Sequence, residues 1–312
     1  MKENLLKIWN VEWIHLVNPS KEEVEKLVEK YDFHDIIAED LIDINTQDKL
    51  DIYDDYIFLV LHFPKYDRNT QKYYLNEFDF ILGKNFIISV SRYPSSHIYK
   101  IRKQYEEELK NEKDIEEYQF KSAPYYILYK ILDAMYDKTV NLLNKFTKDL
   151  LEIEEDIFNK PLEEKLLEKL MIKKRNAIIL KHIYKPQVEI ISDLSTEIKN
   201  FYKKFEDEVD VYFEDIEYKI EKIINQIEIV FENIDNLTDI YNSLVSMKIN
   251  KVMTLLTVFT AIIWIHTLIA WLYGMNVPLP LEKNVFTFWY ILILIVLITI
   301  IFLYLFKRKR RI

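Results

Sequence analysis

The sequence predicts an α+β fold in three parts: a cytoplasmic α/β domain at residues 1–120, antiparallel long helices and a stalk at 121–250, and a two-span transmembrane hairpin with a basic tail at 251–312. Three observations predict it. Short runs rich in Ile, Val, Phe and Tyr occupy the first hundred residues, as in strands. From about Ala123 the apolar spacing becomes helical. Two uncharged stretches near the C-terminus are each 22 residues long, and about 20 helical residues cross a bilayer.

The N-terminal domain is predicted to combine a helix with strands. Residues 20–23, Ser-Lys-Glu-Glu, form a capping box, which marks the start of a helix. Strands rich in β-branched and aromatic residues are predicted at 55–63, 75–82 and 85–91. Gly83 opens a two-residue loop between the last two strands, and a type II′ turn there would give this glycine a positive φ. These elements predict a mixed α/β arrangement and leave the strand order open.

The middle of the chain is predicted to be helical without interruption. The 87 residues between Pro186 and Gly274 contain neither glycine nor proline. The charged segment 205–214 is the predicted position of a helix-to-helix turn. A helix from about residue 210 to residue 273 would then be roughly 95 Å long. One chain cannot bury such a helix along its whole length, so self-association is expected.

The two uncharged stretches predict a multi-pass protein of the cell (inner) membrane. They cover residues 252–273 and 285–306, and the 11-residue connection 274–284 separates them. Basic residues flank the outer ends of the pair: Lys248 and Lys251 before the first, and residues 307–311 after the second. By the positive-inside rule both ends face the cytoplasm and the connection faces out. The lipid bilayer is therefore an expected partner.

Composition and charge exclude several classes of function. The net charge is −9 although the C-terminal tail is basic, so the soluble part is acidic, which is a poor surface for nucleic acid and a plausible one for cations. The absence of cysteine excludes disulfides, thiolate metal sites and cysteine nucleophiles. The sequence contains no phosphate loop, nucleophile motif or paired catalytic acid. We expect no enzymatic activity.

The connection between the spans begins with the most informative motif, Tyr273-Gly274-Met275-Asn276. Gly274 is one of only two glycines in the chain, and glycine just past a helix end commonly provides a left-handed cap. Gly-Met-Asn between two C-terminal spans also resembles the signature of the CorA family of divalent-cation channels. That resemblance implies that Gly274, Met275 and Asn276 form the pore entrance and selectivity site.

The resemblance extends over essentially the whole chain. The domain order is similar, Asn250-Lys251-Val252-Met253 resembles the start of the family's pore helix, and Thr267 lies where family members commonly carry threonine. It implies a homopentamer whose first spans line one axial pore. Two features differ from the family: the first span lacks the usual proline, and bulky Trp271 stands where a small residue is common.

A stripe of residues spaced three and four apart along the first span is predicted to line this pore. Three threonines and one asparagine would give it neutral oxygen atoms, which suit hydrated Mg²⁺. Threonines in membrane helices also bond their own backbone or a neighbouring helix. Two apolar members could form a gate or simply pack. The pore-lining candidates are members of this stripe together with the adjoining Leu256: Asn250, Met253, Leu256, Thr257, Thr260, Trp264 and Thr267, with Met253 and Leu256 as the gate candidates.

A second candidate site is the acidic segment 206–217, which contains seven carboxylates and neither Lys nor Arg. Asp215 falls where the resemblance places a regulatory aspartate on the stalk. Asp210 and Glu214 are the other predicted regulatory Mg²⁺ ligands, and Asp67 is a candidate from the N-terminal domain. A solvated charged face is the alternative interpretation of the segment.

The sequence therefore predicts channel-like Mg²⁺ uptake through a homopentameric pore that is gated by cytoplasmic Mg²⁺, with Co²⁺ or Ni²⁺ as further substrates. One alternative is a divalent-cation transporter of other selectivity or direction, such as Co²⁺ or Ni²⁺ uptake or Zn²⁺ efflux. The other is a membrane-tethered coiled-coil scaffold without transport. A scaffold gives no reason for aligned threonines or for a glycine between the spans.

Overall fold

The computed structural model describes residues 5–110, 123–203, 206–275 and 286–309. Residues 1–239 form one compact unit and residues 240–312 a second. The predicted boundaries at residues 120 and 250 stay predictions.

The first unit contains a six-stranded mixed sheet with the order β1-β2-β6-β5-β4-β3. Only β2 and β6 pair in parallel, and all other neighbours are antiparallel. The three predicted strands are present as β4, β5 and β6, whereas β1, β2 and β3 were not predicted. The strands are β1 (Leu5–Ile8), β2 (Val11–Val17), β3 (Lys49–Ile52), β4 (Tyr56–Asp67), β5 (Lys72–Gly83) and β6 (Phe86–Ser91).

Both faces of the sheet are covered by helices. In β4, the side chains of Phe58 and Val60 belong to the core on one face, and those of Leu59 and Leu61 to the core on the other, because successive strand residues alternate. Helices α1 and α2 cover the first face, and α3, α4 and α5 cover the second. The N-terminal part of α6 belongs to the same apolar core as α3, α4 and α5. The helices are α1 (Lys21–Tyr31), α2 (Asp35–Ile42), α3 (Ser96–Lys110), α4 (Pro124–Asn159), α5 (Glu164–Phe201), α6 (Glu206–Tyr273) and α7 (Thr287–Lys309).

The predicted capping box is confirmed at the start of α1. The Ser20 hydroxyl accepts a hydrogen bond from the Glu23 amide at 3.3 Å, and the Glu23 carboxylate accepts one from the Ser20 amide at 3.0 Å. Val24 and Leu27 then reach the core with no exposed surface. The cap therefore begins the helix at the residue that places its apolar face against the sheet.

The predicted type II′ turn at Gly83 is wrong, because this glycine does not have a positive φ. Gly83 pairs with Tyr56 as the last residue of β5. A Cβ atom at this position would lie 2.1 Å from the ring of Phe86. Glycine is required here by the close approach of an aromatic ring and not by a left-handed backbone.

The predicted turn at residues 205–214 is also displaced. Helix α5 ends at Phe201 and α6 begins at Glu206, so the acidic segment forms the first turns of α6. Val209, Phe213 and Ile216 are fully buried at helical spacing within that segment. Apolar periodicity continues beneath the charges, and acidic residues are favourable near a helix N-terminus.

A buried polar cluster lies where β4, β5 and β6 adjoin. Asp79 has no exposed surface, and burial followed by the nearby charge of Glu77 raises its pKa well above the ordinary value, with Arg92 opposing the shift. Burial alone would lower the pKa of His62, but the hydrogen bond of its Nδ1 to Asp48 at 2.9 Å raises it overall. Both shifts mean that the folded unit holds protons more tightly than the unfolded chain.

Replacing Asp79 with Asn, which keeps the shape of the neutral acid, should remove part of the resulting pH dependence. The folded pKa of Asp79 is raised, so its stabilising effect is present below the unfolded pKa and is lost as pH rises through the folded pKa. Thermal unfolding between about pH 5 and about pH 8.5 should show D79N gaining stability relative to wild type as pH rises. The control is D54N, at an exposed position. A difference between D79N and wild type that does not change with pH would contradict the assignment.

Candidate functional site

The second unit exposes large apolar side chains over most of its surface. Leu268 is 62 % exposed and Trp271 is 78 % exposed. Among the described residues, two helical segments are long and apolar enough to cross a membrane, one ending at Tyr273 and the other spanning Thr287–Phe306. Apolar surface of this extent is unfavourable in water and favourable in lipid. The predicted pair of spans is thus present, formed by the C-terminal part of α6 and by α7.

One face of the first span is directed at the second span. Its less exposed residues, Val258, Ile262, Ile265 and Ile269, recur three and four residues apart. On this side His266 Nε2 lies 2.8 Å from the Thr299 hydroxyl oxygen. The Thr299 hydroxyl donates its proton to the carbonyl of Ile295 at 2.8 Å, so the imidazole Nε2–H is the donor to Thr299.

The predicted stripe lies on the opposite face. Successive residues of an α-helix are rotated by about 100°, which places the stripe about half a turn away from the face with His266. Packing against the second span is therefore not what the stripe's threonines do. All seven pore-lining candidates are exposed in the single chain: Asn250, Met253, Leu256, Thr257, Thr260, Trp264 and Thr267.

The stripe's threonine hydroxyls are bonded within the helix. Thr257, Thr260 and Thr267 each donate to the carbonyl four residues earlier, at 2.8 Å. Thr254, which is not on the stripe, makes the same bond at 2.6 Å, so this bond alone does not mark a pore residue. The bond does, however, decide which part of each hydroxyl faces outward. With the proton committed to the backbone, each hydroxyl presents only oxygen lone pairs outward, as an acceptor for a cation or for its water shell.

The glycine after the first span is not a left-handed cap, because its φ is not positive. The Gly274 amide donates to the carbonyls of Ala270 at 3.0 Å and Trp271 at 3.2 Å. A Cβ atom on Gly274 would lie 3.2 Å from the Ala270 oxygen, which is a tight contact. Met275 is 54 % exposed. Asn276, the third residue of the predicted entrance, lies outside the described residues.

In the first unit, two of the three predicted regulatory acids contact lysines of the same chain. Asp210 pairs with Lys199. Asp215 lies 3.6 Å from the Lys219 ammonium and accepts a hydrogen bond from the Tyr129 hydroxyl at 3.4 Å. Glu214 is exposed. Lysines that lie outside the segment 206–217 thus neutralise part of its negative charge.

Lys219 is the centre of this charge cluster. Besides Asp215 it contacts Asp133 and lies 3.0 Å from Asp137. Burial would lower the pKa of its ammonium, but the hydrogen bonds to Asp133 and Asp137 raise it overall. Sequence reasoning missed these partners; the spacing of the two aspartates on one face of α4 was the available signal.

The described residues of one chain contain no group of three Asp, Glu or His side chains placed to hold a metal ion. Asp67, the candidate from the N-terminal domain, is held in its own turn by the Asn69 amide at 3.0 Å and the Thr70 hydroxyl at 2.7 Å. A regulatory cation at these acids would therefore need ligands beyond those that one chain brings together.

Comparisons with known proteins agree with this architecture. The model of the family described as CorA-like Mg²⁺ transporter protein matches residues 10–308. The cobalt/magnesium transport protein CorA of Thermotoga maritima is 26 % identical over 265 residues, which is 85 % of this chain and 72 % of that protein.

Two solved structures have the same fold. The CorA magnesium transporter of Methanocaldococcus jannaschii superposes with a TM-score of 0.82 at 22 % identity, covering 97 % of this chain and 92 % of that one. The full-length CmaX protein superposes with a TM-score of 0.74 at 18 % identity, covering 98 % and 90 %. At these identities the superpositions establish the fold, including the two C-terminal helices.

Cysteine substitution should reveal which face of the first span meets water. The chain has no native cysteine, so single replacements of Thr257, Thr260 and Thr267 report cleanly. They should react with a water-soluble thiol reagent in membranes and lose ion flux after reaction. Replacements of Ile262 and Ile269, on the face toward the second span, are the controls and should stay unlabelled. Equal labelling at all five positions would show that the stripe does not border an aqueous path.

Proposed function

This chain belongs to the CorA family of divalent-cation transporters, which are not enzymes, and we propose that it carries Mg²⁺ into the cytoplasm through a homopentameric pore. Uptake runs down the membrane potential, with both termini in the cytoplasm of the cell. The observation that carries the proposal is the exposed polar stripe on the first span, opposite the face that the second span covers.

The chemistry of the stripe suits a hydrated ion. Mg²⁺ demands octahedral oxygen coordination and loses its water reluctantly. The stripe offers threonine oxygens and the Asn250 amide and no carboxylate, so it can accept hydrogen bonds from the water shell without replacing it. Five copies around an axis would repeat each oxygen as a ring. Met253 and Leu256, near the cytoplasmic end of the stripe, are then the proposed apolar gate.

The residues after the first span are proposed to select the ion. Gly274 allows the close backbone approach described above, and Met275 and Asn276 follow it in the outward connection. In a ring of Asn276 side chains, the amide oxygens would accept hydrogen bonds from the water molecules bound to a divalent ion and so hold the hydrated ion at the pore entrance. Asn276 is thereby the residue on which uptake should depend most.

Gating is proposed to use the acidic first turns of α6. Carboxylates of neighbouring copies repel one another, and the repulsion is strong where water is partly excluded. A cytoplasmic Mg²⁺ ion between copies would neutralise Asp210, Glu214 and Asp215 and stabilise a closed state. When cytoplasmic Mg²⁺ falls, the ion dissociates and the open state becomes populated. Uptake thus limits itself.

A second candidate function is cobalt transport, since the matching protein of Thermotoga maritima is named for both cobalt and magnesium. Nickel uptake and zinc efflux are further alternatives, and the flux measurement described below distinguishes them. A scaffold without transport is disfavoured by membership of a transporter family.

Flux into proteoliposomes tests the function directly. Purified protein should admit Mg²⁺, and flux of Mg²⁺, Co²⁺, Ni²⁺ and Zn²⁺ measured side by side gives the selectivity. Asn276→Ala should lower Mg²⁺ uptake by about tenfold or more, equivalent to about 1.4 kcal/mol in the barrier. Asn284→Ala, in the same connection, is the matched control. Wild-type uptake by N276A, with assembly unchanged, would remove Asn276 from the mechanism.

The regulatory proposal predicts that Asp210→Asn with Asp215→Asn weakens Mg²⁺-dependent protection of the full-length protein against protease. Fewer carboxylates bind the ion less tightly, so the protecting Mg²⁺ concentration should rise by about tenfold or more. Glu232→Gln with Asp239→Asn, two exposed acids further along α6, is the charge-matched control. Unchanged protection in the first pair would identify the segment as a solvated face.

A further inference from the structure

The first unit contains a cavity of about 600 Å³ that the ion pathway does not use. Its walls come from the β4–β5 hairpin, from the start of α3, and from α4 and α5. Cavities of this size commonly hold small organic ligands, with apolar walls and a few polar groups that fix orientation. The question is what chemistry this cavity would accept.

The wall is basic, although the chain as a whole is acidic. Four lysines line the cavity against a single acid, Asp149, which pairs with Lys173. Lys138 and Lys145 are exposed, and among the residues that the structure describes Asp149 pairs with Lys173 and not with either of them. They are seven residues apart on α4, which puts them on one face about 10 Å apart along the helix. The cavity therefore attracts an anion.

The start of α3 adds backbone donors on the same side. Ser96 and His97 line the cavity and open this 15-residue helix. The next two amides are already used, since Ile98 donates to the Ser95 hydroxyl at 3.4 Å and Tyr99 to the Ser95 carbonyl at 3.1 Å, so the amides of Ser96 and His97 are the ones that an anion would meet. Burial, followed by the charges of Lys138 and Lys100, lowers the pKa of His97. Its ring is consequently neutral near pH 7 and the lysines supply the positive charge.

Aromatic side chains form another part of the wall. Tyr66 and Tyr73 pack with ring centroids 4.9 Å apart, and the Lys65 ammonium lies 3.0 Å from the ring centroid of Tyr93. Phe146 contributes a further ring. Such walls suit a planar ligand group, because aromatic rings stack with offset geometry.

Asn76 provides the most specific observation. It is nine-tenths buried, it lines the cavity, and its Oδ1 has no hydrogen-bond partner among the described residues. A buried acceptor without a partner is costly. By contrast, nearby Asn176 is fully used: its Oδ1 accepts from the Tyr73 amide at 3.3 Å and its Nδ2 donates to the Gln71 carbonyl at 2.9 Å. Of the described polar side-chain atoms in the cavity wall, Asn76 Oδ1 is the one that is buried without a hydrogen-bond partner.

We propose that this cavity binds a purine mononucleotide. The phosphate would contact Lys138, Lys145 and the first-turn amides of α3, the planar base would pack against the aromatic wall, and an amino N–H of the base would donate to Asn76 Oδ1. A free phosphate satisfies only the lysines, and a nucleoside only the rings and Asn76. The combination of charge, rings and a single unsatisfied acceptor selects a ligand with all three groups.

Binding of adenosine monophosphate to the full-length protein in detergent tests this by titration calorimetry. The buffer should contain EDTA, so that metal binding by the nucleotide or by the transporter does not contribute. Adenosine monophosphate should bind with saturation, and adenosine and inorganic phosphate should each bind at least about tenfold more weakly. Purine riboside monophosphate, which lacks the amino group, should also bind more weakly, because Asn76 Oδ1 then stays unpaired.

The variants use exposed lysines, whose replacement leaves the fold intact. Lys138→Met with Lys145→Met should weaken binding of adenosine monophosphate by about tenfold or more. Lys148→Met, at an exposed position on the same helix but outside the cavity wall, should bind as wild type. Absence of saturable binding, equal binding of phosphate alone, or equal affinity in the double variant and the control would each overturn the proposal. Ion flux plays no part in this readout, so the result is independent of the proposed transport function.

Discussion

The proposed pore depends on one constraint, the two-faced character of the first span. One face is directed at the second span through His266 and Thr299 and through half-buried aliphatic residues. The opposite face carries Asn250 and three threonines, whose hydroxyl oxygens can still accept hydrogen bonds, beside the apolar Met253, Leu256 and Trp264. A second span of the same chain cannot cover both faces. The proposed pore between copies of the first span would bring the oxygen atoms of this face into contact with water.

The first unit places charge in a different way. Its acidic segment is the start of a helix whose buried side carries Val209 and Phe213, so the carboxylates are held at defined positions. Lysines from α5 and from α6 itself neutralise part of them. A cation that binds between copies would therefore compete with these lysines for Asp210 and Asp215. Across the same unit, the basic cavity beside Asn76 offers the opposite polarity, suited to an organic anion.

Features that depend on the local pattern of residues could be predicted from the sequence. The spans follow from the absence of charge over 22 residues, and the capping box at Ser20 follows from spacing alone. Features set by tertiary contacts could not be predicted. The need for glycine at position 83 comes from the nearby ring of Phe86. The surroundings of Asp215 are set by Lys219 one helical turn away and by Tyr129 on another helix. The cavity beside Asn76 is built from four separate parts of the chain. The acidic start of α6 is predicted as a turn from its charges alone, although three fully buried apolar residues at helical spacing lie among these charges.

Crosslinking through Thr260→Cys in native membranes tests the central claim that the stripes of several copies face one shared axis. Oxidation should join cysteines of neighbouring copies in pairs, and each ring of five should leave one subunit uncrosslinked even at completion. The Ile262→Cys variant, on the face toward the second span, should stay monomeric on the same gel. Pairing at residue 262 but not at residue 260, or no pairing at either position, would contradict the account.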